Sequence, residues 1–269
     1  MIACGVTGYN GNLGKKFIKT FKKYKFIKFK GDITKKKDLE KWFNLNKLDF
    51  ILHFASIVPT RIVNNNYKKA LNVNYNGTKN IVNIIAKNKK LKWFFFASTS
   101  HVYKETNKKI KESFVKKPTS LYGLTKLKAE NYIIKKLKNT STKYCIGRIF
   151  SIADNKKKEF LIPSLIQKTK TKKKKIIFYD LNHYRDFITT KEISQIIDTL
   201  WQKKYSGIIN ISSGKKIYLK NLAKYICKKN NKVPIFKDNK YPTTIISDTQ
   251  KLKKIWLNKK RLNFIEFFH

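Results

Sequence analysis

Thr7-Gly8-Tyr9-Asn10-Gly11-Asn12-Leu13-Gly14 is the stretch that decides the fold. An apolar run from Ile2 to Val6 precedes it and reads as a strand. Lys15 to Phe21 follows and reads as the opening of a helix. Glycines at such a turn let the backbone come close to a diphosphate, and the helix's unpaired N–H groups then face negative charge. Gly8, Gly11 and Gly14 are therefore candidate phosphate contacts, with Asn10, Asn12 and Leu13 between them.

Outward from this turn, strand-like and helix-like segments alternate. Strands are expected at 2–6, 26–30, 49–54, 92–97 and 143–149, and helices at 12–22, 35–46, 67–88 and 121–138. Such alternation predicts an α/β fold, a doubly wound parallel sheet covered on both faces. Ligands of such sheets bind beyond the carboxyl ends of the strands. After residue 150 the pattern loosens: a helix near 160–171, a strand at 175–179, a helix at 190–203, a strand at 207–211 and a helix at 218–229. The expected organisation is a dinucleotide-binding domain over 1–150. A smaller, interleaved substrate-binding portion takes up 151–269, part of it returning to the sheet.

A length of 269 residues suits one large domain or two intimate ones. A hydrophobic content of 41% excludes a disordered chain despite a net charge of +46. Arginine occurs only at 61, 148, 185 and 261, so 58 of the 62 basic residues are lysines. Asn, Ile, Phe and Tyr are also abundant, and all these types have A/T-rich codons. We read the lysines as a coding bias expressed on solvated faces. The competing reading is a basic RNA- or membrane-associated protein. Nucleic-acid readout favours arginine, which is rare here, and the lysines run along the whole chain. No specific nucleic-acid partner is expected, and Lys168 to Lys175 reads as a surface loop. The charge should attract anionic substrates and disfavour self-association.

Cys4, Cys145 and Cys227 are far apart; Cys4 and Cys145 sit in apolar runs and read as buried free thiols. No pair has metal-ligand spacing, so no metal is expected. No leader precedes the first strand, and no apolar run approaches the ~20 residues of a membrane helix. The expectation is a soluble cytoplasmic protein without membrane insertion.

Tyr122 and Lys126 stand four apart in an expected helix and share a face. A free tyrosine titrates near ~10, and a neighbouring ammonium favours its phenolate. The pair can supply a general acid or base for alcohol or sugar chemistry. About twenty residues upstream, Trp93-Phe94-Phe95-Phe96 ends in Ala97-Ser98-Thr99-Ser100-His101-Val102-Tyr103, placing hydroxyls at a strand end.

With these residues the chain resembles the extended short-chain dehydrogenase/reductase family, whose members mostly act on nucleotide sugars. The resemblance covers nearly the whole chain and implies a Rossmann-type fold. It gives Gly8, Gly11 and Gly14 to the diphosphate of NAD or NADP, and Asp32, with Ile33, to the adenine amino group. It places Phe54, Ala55 and Ser56, after His53, along the cofactor. Asn74 matches a helix asparagine of the family. Ile149, in Arg148-Ile149-Phe150-Ser151, falls beside the nicotinamide, and Ser151 faces the substrate. Arg185, in Tyr184-Arg185-Asp186-Phe187, matches the arginine that binds a sugar nucleotide's diphosphate. Asn210-Ile211-Ser212-Ser213-Gly214 and Ser247 to Leu252 resemble two later landmarks.

In the family the catalytic hydroxyl stands three residues before the valine of Val-Tyr, so the resemblance implies Thr99 in that role, with Ser98 and Ser100 supporting it. Lys126 then holds the cofactor ribose and tunes Tyr122. His101 stands where the family's dehydratases carry glutamate, and is a candidate for moving a proton, since histidine titrates near neutrality. Its presence argues against the usual 4,6-dehydratase. Ser151 replaces a common asparagine, and Ala153-Asp154 replaces a common Gly-Pro, so the particular sugar stays open. The compressed first half leans toward relatives that resemble dTDP-4-dehydrorhamnose reductase. The second strand ends in Lys28-Phe29-Lys30, where lysine suits a 2′-phosphate and favours NADP over NAD.

The implied activity is that of a NAD(P)-dependent 4-keto reductase or epimerase for a nucleotide-linked sugar. A non-catalytic NAD(P)-binding regulatory module is the alternative, and the intact Thr99, Tyr122 and Lys126 speak against it. Homodimers through two helices per subunit are common in the family.

Overall fold

A computed structural model describes residues 1–58, 60–154, 157–239 and 241–256, without the side chains of 60 and 61; the end of the portion expected over 151–269 lies outside the described residues. The first half runs β1 (Ile2–Thr7), α1 (Asn12–Thr20), β2 (Tyr24–Lys28), α2 (Lys36–Asn44), β3 (Phe50–His53), α3 (Thr60–Asn65), α4 (Tyr67–Leu71), α5 (Gly77–Lys87), β4 (Trp93–Thr99), α6 (Leu121–Leu137) and β5 (Lys143–Ile149). The second half runs β6 (Ser151–Ile152), α7 (Leu161–Thr169), β7 (Lys175–Tyr179), β8 (His183–Arg185), β9 (Phe187–Ile188), α8 (Thr190–Gln202), β10 (Gly207–Ile211), β11 (Ile217–Tyr218), α9 (Leu219–Lys229), β12 (Val233–Lys237), β13 (Thr243–Ile245) and α10 (Gln250–Ile255).

Six strands form one sheet in the order β10-β5-β4-β3-β1-β2. Every pairing in it is parallel. This is the expected Rossmann-type doubly wound sheet, with β10 joining beside β5. Its central strand carries Trp93, Phe94, Phe95 and Phe96, all buried, because a parallel strand must be apolar on both faces. One face packs against α1, α8 and α10 through Phe17, Ile193, Ile197, Trp201 and Leu252; Trp201 stacks on Phe50 with centroids 4.1 Å apart. The other face packs against α2, α5 and α6 through Leu39, Trp42, Ile81, Val82, Ile85 and Ile133. A third cluster joins α7 and α9 to β7 and β12. Thr189 and Glu192 close a capping box at the start of α8, which fixes where that helix begins.

Helices α3 and α10 and the strands β6, β8, β9, β11, β12 and β13 had no counterpart in the sequence expectation, and two expected elements are altered. The second strand begins at Tyr24 rather than 26. Tyr24 is buried among Phe17, Phe26 and Phe50 and donates its hydroxyl to Asp198, a distant partner that the flanking lysines hide. The helix expected over 67–88 is two α-helices joined by a π-helical turn at Asn72–Asn76. The wider turn accompanies the turning of Asn74 to partners on other elements, and such turns recur at functional sites.

Below the ends of β4 and β5 lies a buried ion pair. Arg148 Nε donates to both Glu130 oxygens at 3.1 Å, Nη2 to Oε2 at 2.7 Å and Nη1 to the Tyr103 hydroxyl at 2.8 Å. Ser98 donates to the same carboxylate, so its hydroxyl is spent away from the strand end. Only a planar fork makes these contacts at once, which explains an arginine in a chain that otherwise uses lysine. Arg148→Lys should therefore cost about 3 kcal/mol or more, roughly 10 °C in Tm, measured by thermal unfolding.

Candidate active site

The glycine turn is built to admit a ligand. Gly8 has φ +69°, and a Cβ on it would lie 2.5 Å from the Ala55 nitrogen. A Cβ on Gly14 would lie 2.6 Å from the Gly8 oxygen. Gly11 caps α1 with no side-chain bond, and no acidic residue occupies the first helical turn. Asn12 Nδ2 is buried and has no hydrogen-bond partner. Free amides, an orphaned donor and a close backbone approach together fit a dinucleotide's diphosphate. Phe54 and Ala55 border the turn. Asn10 is exposed at its tip, and Leu13 is buried beneath it.

Asp32 is exposed, and its Oδ1 accepts from the Thr34 nitrogen and hydroxyl at 2.9 and 2.8 Å, which hold the carboxyl below its usual range. Ile33 is buried against Gly77, and Asn80 Nδ2 donates to the carbonyls of Ile33 and Thr34 at 3.3 and 2.9 Å. The segment expected at the adenine is thereby tied to α5.

A chain of hydrogen bonds runs from the glycine turn to α6. Thr7 Oγ1 and His53 Nδ1 are 2.6 Å apart, and His53 Nε2 and Thr78 Oγ1 are 3.0 Å apart. Thr78 donates to the Asn74 carbonyl at 2.7 Å. Its proton being so engaged, Thr78 accepts from His53 Nε2–H, and Nδ1 accepts from Thr7; the network assigns this tautomer. Asn74 Oδ1 accepts from Ser56 Oγ at 3.0 Å and Ile57 N at 2.7 Å, and Nδ2 donates to Thr125 Oγ1 at 3.2 Å. Thr125 donates to the Tyr122 carbonyl at 2.8 Å. The sequence reading passed over Thr7, Thr78 and Thr125 in this chain. Their signal lay in spacing: Thr78 is four after Asn74, and Thr125 three after Tyr122.

Burial drives His53 down to about 3, with the Lys126 charge acting the same way. Between pH 3 and 6.5 the unfolded chain binds a proton that the native one refuses, so this group's stability contribution falls as pH drops through that window. The slope is about 1.4 kcal/mol per pH unit. His101 acts in the same sense. Asp186, pushed up to about 6 by burial despite bonds from Ser213, Gly214 and Ser247, acts oppositely between 3.8 and 6. Comparing wild type with His53→Asn cancels both. Urea midpoints from pH 7 to 4.5 should fall more steeply for the wild type, by about one proton.

Ser120 caps α6 by accepting from Gly123 N at 3.1 Å. A Cβ on Gly123 would fall 2.2 Å from the His101 carbonyl oxygen, so this glycine lets the helix start against β4's continuation. Tyr122 is half-buried. Its hydroxyl end is crowded by protein, which pushes the phenol well above its usual range; the neighbouring Thr99 hydroxyl pulls the other way. Thr99 is itself buried and accepts from His101 N at 3.3 Å. Lys126 is fully buried, its ammonium 4.1 Å above the Phe96 ring. Desolvation drives it down to about 7, partly opposed by Glu130. The expectation that Lys126 acidifies Tyr122 is thus corrected. Both groups are desolvated, the phenol keeps its proton, and the lowering influence on it is Thr99.

His101 lies on the same side, edge-on to the Tyr122 ring at 5.9 Å between centroids. It is exposed to solvent, yet surrounding protein and then the Arg185 charge drive it down to about 4. Both influences act against a histidine that titrates near neutrality. Arg185 is half-buried; its Nη1 donates to the carbonyls of Tyr184 and Thr243 at 2.8 and 3.2 Å, and Nη2 to Thr243 Oγ1 at 2.9 Å. No ion pair holds it among the described residues. Thr243 had no signal in the sequence, since β13 reaches β8 only through the fold. Ile149 pairs with Thr99 across β5 and β4, and Ser151 N donates to the Asp186 carbonyl, which brings both to the same sheet end. Ser100 is buried in the single 3-10 turn after β4.

All three cysteines are free and buried. Among the described residues no cluster of His, Cys, Asp and Glu is placed to hold a metal, and no helix is long and apolar enough to cross a membrane.

A doubly wound parallel sheet with a glycine-lined turn at its first strand end defines a class of dinucleotide-binding fold. Residues 5–212 match the NAD dependent epimerase/dehydratase family, and the chain belongs to it. It is 29% identical over 195 residues to a Methanocaldococcus jannaschii protein provisionally named UDP-glucose 4-epimerase, covering 69% of this chain and 62% of that one. It is 28% identical over 220 residues to the GDP-6-deoxy-D-talose 4-dehydrogenase of Aggregatibacter actinomycetemcomitans, covering 78% and 74%. The chain thus spans under two thirds of the first relative's length. In fold it is similar to RMD from Pseudomonas aeruginosa, solved with NADPH, with a TM-score of 0.85, 17% identity and 98% and 96% of the two chains covered.

Proposed function

We propose that this chain is a NAD(P)-dependent oxidoreductase that works at a ring carbon of a nucleotide-linked sugar, as a 4-keto reductase or a 4-epimerase. One observation carries the reading. The hydrogen-bonded chain from Thr7 to the Tyr122 carbonyl fixes the Tyr122 helix to the glycine turn, close to the end of β4 where Thr99 stands. Family membership and relatives named for chemistry at sugar carbon 4 support it.

When bound, a nicotinamide cofactor supplies the hydride, or takes it up in the reverse direction. Gly8, Gly11, Asn12 and Gly14 would hold its diphosphate, Asp32 its adenine, and Lys126 its ribose. Tyr122, protonated at neutral pH, gives its proton to the alkoxide that forms as a keto carbon is reduced. Thr99 hydrogen-bonds the same oxygen and keeps it aligned with the phenol. Arg185 pairs with the nucleotide diphosphate, a short charge-assisted contact. Ser100 and Ser151 line the sugar, and the portion after residue 150 contributes Ser151 and Arg185. His101, neutral, hydrogen-bonds the sugar rather than serving as a resting acid. His101→Gln should therefore keep turnover within about tenfold, whereas loss of a true proton donor costs 10²-fold or more, on the order of general-acid effects.

Lys28, at the end of β2, lies 5.8 Å from the Tyr9 ring beside the glycine turn, and no carboxylate ends that strand. This favours NADP. Fluorescence titration with NADH and NADPH tests cofactor choice; mass spectrometry on nucleotide 4-keto sugars and chromatography on nucleotide 4-hydroxy sugars then test the reaction. Net cofactor oxidation with a 4-keto sugar means a reductase; interconversion of C4 epimers of a 4-hydroxy sugar without net cofactor oxidation means an epimerase. Failure to bind either cofactor would overturn the reading.

A further inference from the structure

We propose that the outer face of the β7–β12 pair is a docking surface for an anionic lipid bilayer, independent of the redox site. The two strands pair in parallel, with Val233 opposite Lys175, Ile235 opposite Ile177 and Lys237 opposite Tyr179. Their inward side chains Ile176 and Phe178 are buried against α7 and α9. Their outward side chains are also apolar: Ile177 is 41% exposed, Tyr179 53%, Val233 46% and Ile235 36%. Parallel strands are ordinarily covered on both faces, and among the described residues this pair is covered on one. Four large apolar side chains thus stand together in water, a pattern that marks an interaction surface.

Charge selects the occupant. Lys175 and Lys237 stand in the same outward rows as the apolar residues, at opposite ends. Lys172, Lys173 and Lys174 are exposed in the connection that enters β7. The carboxylates nearest in sequence, Asp180 and Asp238, follow the strands at one end only, and Asp238 is paired with Lys220. Lysine is common over the whole surface. Here it flanks aliphatic side chains and a phenol on a flat two-stranded face, the combination that anionic headgroups and the acyl boundary accept together. A second copy would bring lysine rim onto lysine rim, and repulsion disfavours that pairing.

The test is co-sedimentation of the full chain with vesicles of phosphatidylcholine alone or mixed equally with phosphatidylglycerol, at 0.15 M salt. Binding is expected only to the mixed vesicles. An Ile177→Ser, Ile235→Ser double variant should weaken it about tenfold, while Lys135→Gln with Lys136→Gln on α6 changes it less than about twofold. Tyr179→Cys, labelled with an environment-sensitive dye while the buried native thiols stay unlabelled, should shift to the blue on mixed vesicles. Absence of binding overturns the proposal, as does equal binding by the Ile177/Ile235 variant, which would mean diffuse charge attraction. A dye already blue-shifted without lipid would also overturn it, because the face is then covered by the chain itself, a second copy or an acidic protein partner.

Discussion

Tyr122→Phe should reduce turnover of the true substrate about 10³-fold while leaving the NAD(P)H dissociation constant nearly unchanged. The phenol is held by desolvation in its protonated form, with the Thr99 hydroxyl pulling weakly the other way. Removing one oxygen deletes the proton donor and leaves the Thr99 hydroxyl with its bond from His101 N. The ring remains, so α6 and the His101 edge contact persist. Binding and chemistry should therefore separate cleanly in a fluorescence titration set beside single-turnover rates. A parallel loss of both would point instead to a collapsed site.

The second large effect is expected at the glycine turn. Gly8→Ala must force a positive φ on a residue with a Cβ and drive that atom into the Ala55 and Phe54 backbone, at 2.5 and 2.6 Å. Backbone of a buried strand end cannot swing aside as a lysine tip can. The turn must shift, and NAD(P)H affinity should fall more than about 100-fold, a loss of about 3 kcal/mol. Gly11→Ala is the informative contrast. Gly11 has φ −72°, and its added Cβ meets only the Gly8 oxygen at 3.2 Å. That variant should unfold like the wild type and reveal any loss solely in cofactor binding. Isothermal titration with NADPH beside thermal unfolding measures both.

The sheet was legible because its signals are local. Gly8, Gly11 and Gly14 mark the first strand-to-helix turn, and the unbroken apolar run Trp93 to Phe96 marks the central strand. The short strands β8, β11 and β13 were not legible, because two or three residues leave no periodicity and their partners are distant in the chain. At the site, Tyr122 was reached by its spacing from Lys126 and Thr99 by the register of the family that the chain resembles; the one stands at the start of α6 and the other at the end of β4. The electrostatics ran the other way. Sequence spacing gives a lysine one helical turn from a tyrosine, but not that the ammonium is buried and the phenol end crowded by protein, so the expected acidification of Tyr122 did not follow. His101 misled for the same reason, since its downward shift comes from surrounding protein and from Arg185, 84 positions along the chain. Burial is a property of the fold, and it decides the charge state of each of these groups.

Transfer of deuterium from 4-deuterated NAD(P)H to the reacting carbon of nucleotide 4-keto sugars tests the central claim most directly. Mass spectrometry should find the label in the sugar with the wild type and not with Tyr122→Phe, although both bind the cofactor. No label from wild type in any sugar that binds alongside the cofactor, or equal labelling by Tyr122→Phe, would contradict it.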